Sequence, residues 1–457
     1  VKRTRFYFRK IKLTFCLLPM YDGKVFNEYF TNMAGGIWVD FPELFSGPYS
    51  LITGFVFWYP FIMALFWMAG SLLFLKTKES KKDALDIEEM DWPMISILVP
   101  CYNEEDTVEE TVRNLAALSY PKKEIILIND GSKDGTDKII KRLSEEYDMV
   151  RAIQLNENRG KANALQVGLF ASRSEYLICV DSDALLADTA PYYLIRHFFK
   201  GGERLGAVTG NPAIRNRNNL LSRMQLVEYA SIIGAIKRTQ RLLGKVMTVS
   251  GVVVAFRKKA LVDVGLWDRD MITEDIAVSW KLQKRFWDVR YEPQAICWML
   301  VPETLSGIWK QRVRWAQGGQ EVILRHWKIL FSWKQRRMWL IYLEQWISIL
   351  WAFSWLFVTL LLLFTADTIQ DRLLWFTLTS FTLVLISLVQ LFIALVIDSN
   401  YNRVLKYYFW AAWYPAIYWM VNTFVVMAAV PRAISSRLRG GYAVWNSPDR
   451  GMKKKAS

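Results

Sequence analysis

Histidine and cysteine are scarce in these 457 residues. Only His197 and His326 are present, so histidine-based nucleophilic triads and histidine-rich metal sites are unfavourable readings, and acid–base chemistry has to rest on carboxylates. Cys16, Cys101, Cys179 and Cys297 form no C-x-x-C pair, which indicates neither a zinc site nor a disulfide framework. A reducing cytosolic face is the default compartment. Acidic residues are also in deficit, 43 against 58 Lys and Arg, for a formal charge of +15.

That charge is gathered at the two ends. Residues 1–12 carry six Lys or Arg and no acid, and residues 432–457 carry seven against Asp449 alone. Terminal basic segments fit attraction to anionic lipid. A nucleic-acid groove would instead stripe one folded face with cations, so membrane lipid, not nucleic acid, is the expected partner.

Apolar residues are abundant: they make up 53% of the chain, with 21 tryptophans. The length exceeds one average domain of roughly 100–200 residues, and the composition lies between soluble and fully membrane-embedded. A soluble domain joined to membrane spans is expected. A span needs about 20 predominantly apolar residues, which the uncharged stretch 51–75 supplies. Residues 1–50 read as an interfacial segment, because LTFCLLPM is too short to cross and lacks a small-residue cleavage site after it. Further spans are expected within 338–430, about three in number: 338–364, 373–397 and 407–430, with Pro415 a candidate break. Glu344 and Gln345 in the first of these should face protein or a polar cavity. A basic tail, 431–457, follows. The cations of KTKESKK after the first span place residues 77–337 on the cytoplasmic side of the inner membrane.

Between the spans the pattern alternates as in α/β proteins. MISILVP (94–100), EIILIND (124–130) and EYLICVD (175–181) are short apolar runs bounded by turn residues, as buried parallel strands are. Helical patterns separate them, which predicts a doubly wound sheet with its ligand beyond the strands' carboxyl ends. Polar residues follow each strand there: CYNEE, NDGSKDGT and DSD.

Each cluster has a chemical and a structural reading. Asp181 and Asp183 are hard oxygen donors suited to Mg²⁺ or Mn²⁺ beside a diphosphate, or else residues of a surface turn. Asp130 and Asp134 fit a turn with Gly131 and Gly135 at positive φ. Glu274 and Asp275 are helix-start acids with Thr273 as N-cap, or a place for a general base. In KQRVRWAQGG (310–319), Gln311, Arg314 and Trp315 fall at i, i+3 and i+4 of a helix. A fork of donors beside an aromatic plate suits diphosphate oxygens and a sugar ring; the alternative is an Arg–Trp anchor at the membrane surface.

VPCYNEE, NDGSKDGT, NRGKANAL, VDSDA, TEDIAVSW and QRVRW, in this order and backed by apolar spans, resemble the processive family-2 glycosyltransferases. GAVTGNPAIRN, VEYASIIGAIKR, CWMLVPETLSGIWKQRVRWAQGG and WNSPDRG are most similar to its poly-β-1,6-N-acetylglucosamine synthase group. The resemblance implies a GT-A fold, residues 77–305, with amphipathic interface helices at 306–337. It implies inverting transfer from UDP-N-acetylglucosamine to a growing polysaccharide for a biofilm matrix. Pro100, Tyr102, Glu104 and Asp130 would form the uridine pocket, with Asn158 and Lys161 near the nucleotide. Asp181 and Asp183 would hold the metal, and Asp181 would also border the nucleotide. Asp275, beside Glu274, would be the catalytic base, and Gln311, Arg314 and Trp315 would close over the diphosphate and acceptor. A small membrane accessory subunit, with control by cyclic diguanylate, is implied too. A chitin-like or hyaluronan-like synthase, a glycosyltransferase adding one sugar to a lipid phosphate, and a non-catalytic nucleotide-binding scaffold are the competing readings.

Overall fold

The computed structural model describes residues 49–79, 87, 91–365, 369–411 and 414–444. Most of the expected interfacial segment, and residues 445–457 of the expected basic tail, lie outside the described residues. The chain divides into two compact units, Val1–Trp58 and Tyr59–Ser457, and everything that bears on the candidate site belongs to the second.

Eight strands form one mixed sheet: β1 (Ile95–Cys101), β2 (Lys123–Asp130), β3 (Val150–Leu155), β4 (Tyr176–Val180), β5 (Leu185–Leu186), β6 (Leu205–Ile214), β7 (Val253–Arg257) and β8 (Asp288–Met299). Their order is β3-β2-β1-β4-β7-β6-β8-β5. The first four in that order run parallel, β7 is antiparallel to β4 and β6, and β8 returns parallel to β6. Ile97 stands opposite both Ile125 and Ile178, so the three apolar runs align in one register.

Side chains on a strand alternate between faces, and here both faces are covered. Ile95, Ile97, Val99, Ile125 and Leu127 enter one core, whereas Leu98, Ile126 and Ile128 enter the other. Continuous apolar strands are the consequence of two-sided burial. Because β1, β2 and β4 run the same way, the polar segments after them emerge on one side of the sheet.

Among the described residues, three helices are long and apolar enough to cross a membrane: Ser50–Glu79, Trp333–Phe364 and Phe381–Asp398. The stretch 407–430 is different. It begins in a 3₁₀ turn, Leu405–Ala411, and continues as the helix Tyr414–Arg439. Pro415 stands in the first turn of that helix, where proline is tolerated, and so starts the helix where a break was expected. Val425 and Ala429 pack on Val313 of the helix Leu305–Arg325, and the Gln320 side-chain amide donates to the Val426 carbonyl at 2.9 Å.

A buried ionic group ties the apolar helices to the sheet through Asn211 of β6, whose side-chain amide donates to Asp398 Oδ1 at 3.4 Å. Arg238 Nε donates to Glu79 Oε1 at 2.7 Å, Tyr401 Oη donates to Glu79 Oε2 at 2.6 Å, and Arg238 Nη2 lies 3.7 Å from Asp398. A cavity between the apolar helices is lined by Tyr59, Trp67, Glu344, Ser348, Gln390 and Asn422 among others. The expected polar surroundings of Glu344 are therefore present, and Gln345 donates to its carboxylate at 2.7 Å.

Candidate active site

The loop after β2 closes on the NRGK segment. Asp130 is fully buried, and its carboxylate accepts the backbone N–H of Arg159 at 3.2 Å and of Gly160 at 2.8 Å. Burial pushes its pKa up, against the lowering effect of those two amides. Gly131 has φ +69°, and a Cβ there would stand 2.6 Å from the Glu157 carbonyl carbon, so glycine permits the two loops to meet. Asn158 accepts the Gly160 N–H at 3.0 Å. Asp134 serves a turn, accepting from the Thr136 N–H at 3.0 Å and hydroxyl at 2.5 Å, but Gly135, expected at positive φ, has φ −72° because it leads directly into the helix Thr136–Glu146.

Pro100 is paired opposite Ile128 near the end of β1, and Tyr102 follows half-buried. Glu104 is 1% exposed. Its N–H donates to the Thr136 hydroxyl at 2.7 Å and its carboxylate accepts from Thr107 at 2.7 Å, so one oxygen is committed to the turn that opens the helix Val108–Ala116.

Four residues from distant parts of the sequence meet beyond β4. Lys161, the first residue of the helix Lys161–Ala171, donates through Nζ to Asp181 Oδ1 at 2.6 Å and to the Gly251 carbonyl at 3.2 Å. Its Nζ is 3.2 Å from Glu274 Oε1. Burial works against the Lys161 charge, but Asp181 and then Glu274 outweigh it and hold the ammonium protonated.

Asp275 lies beside this group. Its Oδ2 accepts the Gly251 N–H at 3.1 Å and its Oδ1 the Ile276 N–H at 2.9 Å. Burial, then the Glu274 charge, push its pKa up to about 6, with Lys161 opposing. A carboxylate poised there suits proton abstraction near neutral pH. Thr273 occupies the N-cap position, yet its hydroxyl makes no capping bond and is buried without a partner. A Cβ at Gly318 would be 1.9 Å from Thr273 Oγ1, so the helix carrying QRVRW lies directly on the T-E-D turn.

Asp183 is buried, and both it and Asp181 lie close enough to the Cys297 thiol to raise its pKa, after burial itself. No group of three or more potential metal ligands occurs among the described residues. Two hard carboxylates fit a divalent cation whose other ligands come from a diphosphate.

The helix Leu305–Arg325 begins where Thr304 Oγ1 accepts the Gly307 N–H at 3.1 Å. Gln311 is buried with its side-chain carbonyl lacking a partner, and Arg314 is half-buried with its charge near the Tyr229 hydroxyl. Trp315 packs edge-on against Tyr229 with ring centroids 6.1 Å apart. Arg312 is the buried cation of this helix, bonded to Glu228 at 2.5 Å, whereas Arg314, which the sequence singled out for the diphosphate, is half-buried. Gly251, Glu228 and Arg312 were missed as site residues, although Glu228 and Arg312 stand inside VEYASIIGAIKR and QRVRW.

Comparison with known proteins agrees with this geometry. Residues 93–318 match the family described as glycosyltransferase like family 2. The poly-beta-1,6-N-acetyl-D-glucosamine synthase of Staphylococcus aureus (strain MSSA476) is 47% identical over 412 residues, covering 87% of this chain and 98% of that protein. The synthase of the same name from Staphylococcus epidermidis is 45% identical, covering 88% and 98%. The mannosyltransferase PcManGT from Pyrobaculum calidifontis, solved in complex with GDP-Man and Mn²⁺, superposes with a TM-score of 0.59 at 19% identity, over 84% of this chain and 99% of that one. That likeness identifies the sheet and its flanking helices as a GT-A-like fold. With the fold, the carboxylate group and these relatives in agreement, this chain belongs to glycosyltransferase family 2, in the company of the staphylococcal poly-β-1,6-N-acetyl-D-glucosamine synthases.

Proposed function

We propose that this chain is a membrane-embedded, processive, inverting glycosyltransferase that polymerises N-acetylglucosamine from UDP-N-acetylglucosamine through β-1,6 linkages. The observation that carries this reading is the convergence of Asp181, Glu274 and Asp275 around Lys161, roofed by the helix that bears QRVRW.

In a single displacement the acceptor hydroxyl attacks the anomeric carbon, the bond to the diphosphate breaks, and the hydroxyl proton passes to a base. Asp275 is that base, since its raised pKa matches the task. The leaving diphosphate gathers negative charge. Lys161 and Arg314 supply fixed positive charge on that side, where it counts most in the transition state. Asp181 and Asp183 would hold Mg²⁺ or Mn²⁺, which when bound neutralises diphosphate charge. Asp130 holds the NRGK loop through its two amides, and Pro100, Tyr102 and Glu104 border the uridine side, with Asn158.

Trp315 would meet the terminal sugar, and the cavity around Glu344, whose wall mixes polar and apolar side chains, would carry the product between the apolar helices. The catalytic side faces the cytosol, as the basic flank of the first span implies. A small accessory subunit and cyclic-diguanylate control belong to the same proposal.

The test is incubation of the reconstituted chain with radiolabelled UDP-N-acetylglucosamine and Mg²⁺. Polymer cut by a β-1,6-specific hexosaminidase and not by chitinase is the expected result. Chitinase-sensitive polymer would keep the mechanism and overturn the linkage, whereas no UDP release under any divalent cation would point to the missing accessory subunit or to a non-catalytic scaffold, which the same assay in membranes of the native host separates.

A further inference from the structure

We propose that Arg312 and Glu228 form a positioning pair that fixes the plane of Trp315, and through it the hold on the acceptor end of the glycan. This rests on the acceptor-side reading of Trp315 given above. Both charged side chains are buried, Glu228 at 5% and Arg312 at 7% exposure, and they meet at 2.5 Å. The Arg312 guanidinium lies 4.3 Å from the centre of the Trp315 ring and 6.0 Å from that of Tyr229.

One planar group thus does two jobs. Its Nη2 donates to the carboxylate while its central carbon lies over the indole ring, a combination open to the extended guanidinium of arginine and closed to lysine, whose ammonium is a point charge. Arg312 and Trp315 are three residues apart on one helix, so the stack is local, whereas Glu228 arrives from another element. Glu228 ends the helix Leu220–Glu228 and leads into the π-helical turn Tyr229–Gly234. Such turns widen a helix locally and re-aim the side chains at their edges. Here the turn presents Glu228 and Tyr229 to the same tryptophan.

Stability alone gives little reason for the pair. Desolvating two charges offsets most of their attraction, and an apolar pair of similar volume serves a core equally well. What the ion pair adds is a fixed direction for the guanidinium, and hence for the ring beneath it. Trp315 stays half-buried, leaving part of its surface for a sugar.

The experiment uses membranes holding the full chain, assayed for UDP release across concentrations of UDP-N-acetylglucosamine and of an added β-1,6-linked N-acetylglucosamine oligosaccharide. Arg312→Lys, the double variant Arg312→Met/Glu228→Met and Trp315→Ala are compared. The expected result for the first two is an acceptor KM raised about tenfold, the scale of a lost desolvated cation–π contact. The KM for UDP-N-acetylglucosamine should move less than about twofold. A wild-type acceptor KM in both would overturn the positioning role, because a merely structural pair is satisfied by lysine or by two methionines. A parallel rise of both KM values would overturn it too, by making the pair a support of the whole pocket. Trp315→Ala separates the premise: an unchanged acceptor KM there removes the acceptor reading of Trp315 and the proposal with it.

Discussion

At the scale of single residues, the chemistry turns on how charges are paired around Lys161. Asp275 must be unprotonated to accept a proton, and its pKa is raised to about 6. Transfer should therefore rise with pH through about 6 and level off above it, as a pH profile of kcat/KM checks. The linkage to stability runs the opposite way: a raised carboxyl pKa favours the folded chain while the proton is bound, and that contribution is lost as pH rises through about 6. Asp275→Asn should lower transfer by about 10²–10⁴-fold, the usual worth of a general base, with UDP-N-acetylglucosamine binding retained in a filter assay. Lys161→Met removes the charge that opposes the shift, so the acidic limb of any residual activity should move to higher pH. The carboxylates themselves were legible, because Asp181 closes a short apolar run and Glu274 and Asp275 open a helix after Thr273. Their common partner was not, because Lys161 reaches Asp181 and Glu274 only after a helix and two further segments have converged.

At the scale of elements, the approach of one helix to one turn sets the site. The QRVRW helix was legible from spacing, and its glycines acquire meaning only against Thr273. Gly318→Val would drive two methyl groups into the Thr273 side chain. Overpacking of this kind costs about 1–3 kcal/mol. The expected outcome is a lowered midpoint of thermal unfolding in detergent, with polymerisation reduced more steeply than the folded fraction, since the displaced helix carries Gln311, Arg314 and Trp315 away from Asp275. Strands β1, β2 and β4 could be read from their apolar runs. β6 and β8 could not, because the two glycines and the proline of GAVTGNPAI and the mixed polarity of DVRYEPQAICWM hide a strand whose pairing comes from distant partners.

For the whole molecule, the buried group of Arg238, Glu79, Tyr401 and Asp398 joins the apolar helices to the sheet. Arg238→Met leaves two acids buried without their cation, a change that costs about 3–5 kcal/mol. Low yield of folded protein in membranes is expected for that variant, measured by fluorescence-detected gel filtration. Orientation gives a separate prediction: sealed inside-out vesicles should polymerise externally added UDP-N-acetylglucosamine, and right-side-out vesicles should not.

By itself the sequence determined the α/β alternation, three of the four expected apolar spans and the strand-end polar clusters, because each is written in adjacent residues through hydrophobic period or turn chemistry. Tertiary structure decided which of these meet. The Lys161-centred carboxylates, the seat of Gly318 on Thr273 and the choice of Arg312 over Arg314 as the buried cation all depend on contacts between segments far apart in the chain. Local periodicity has no access to such contacts, since they exist only once both faces of the sheet are covered.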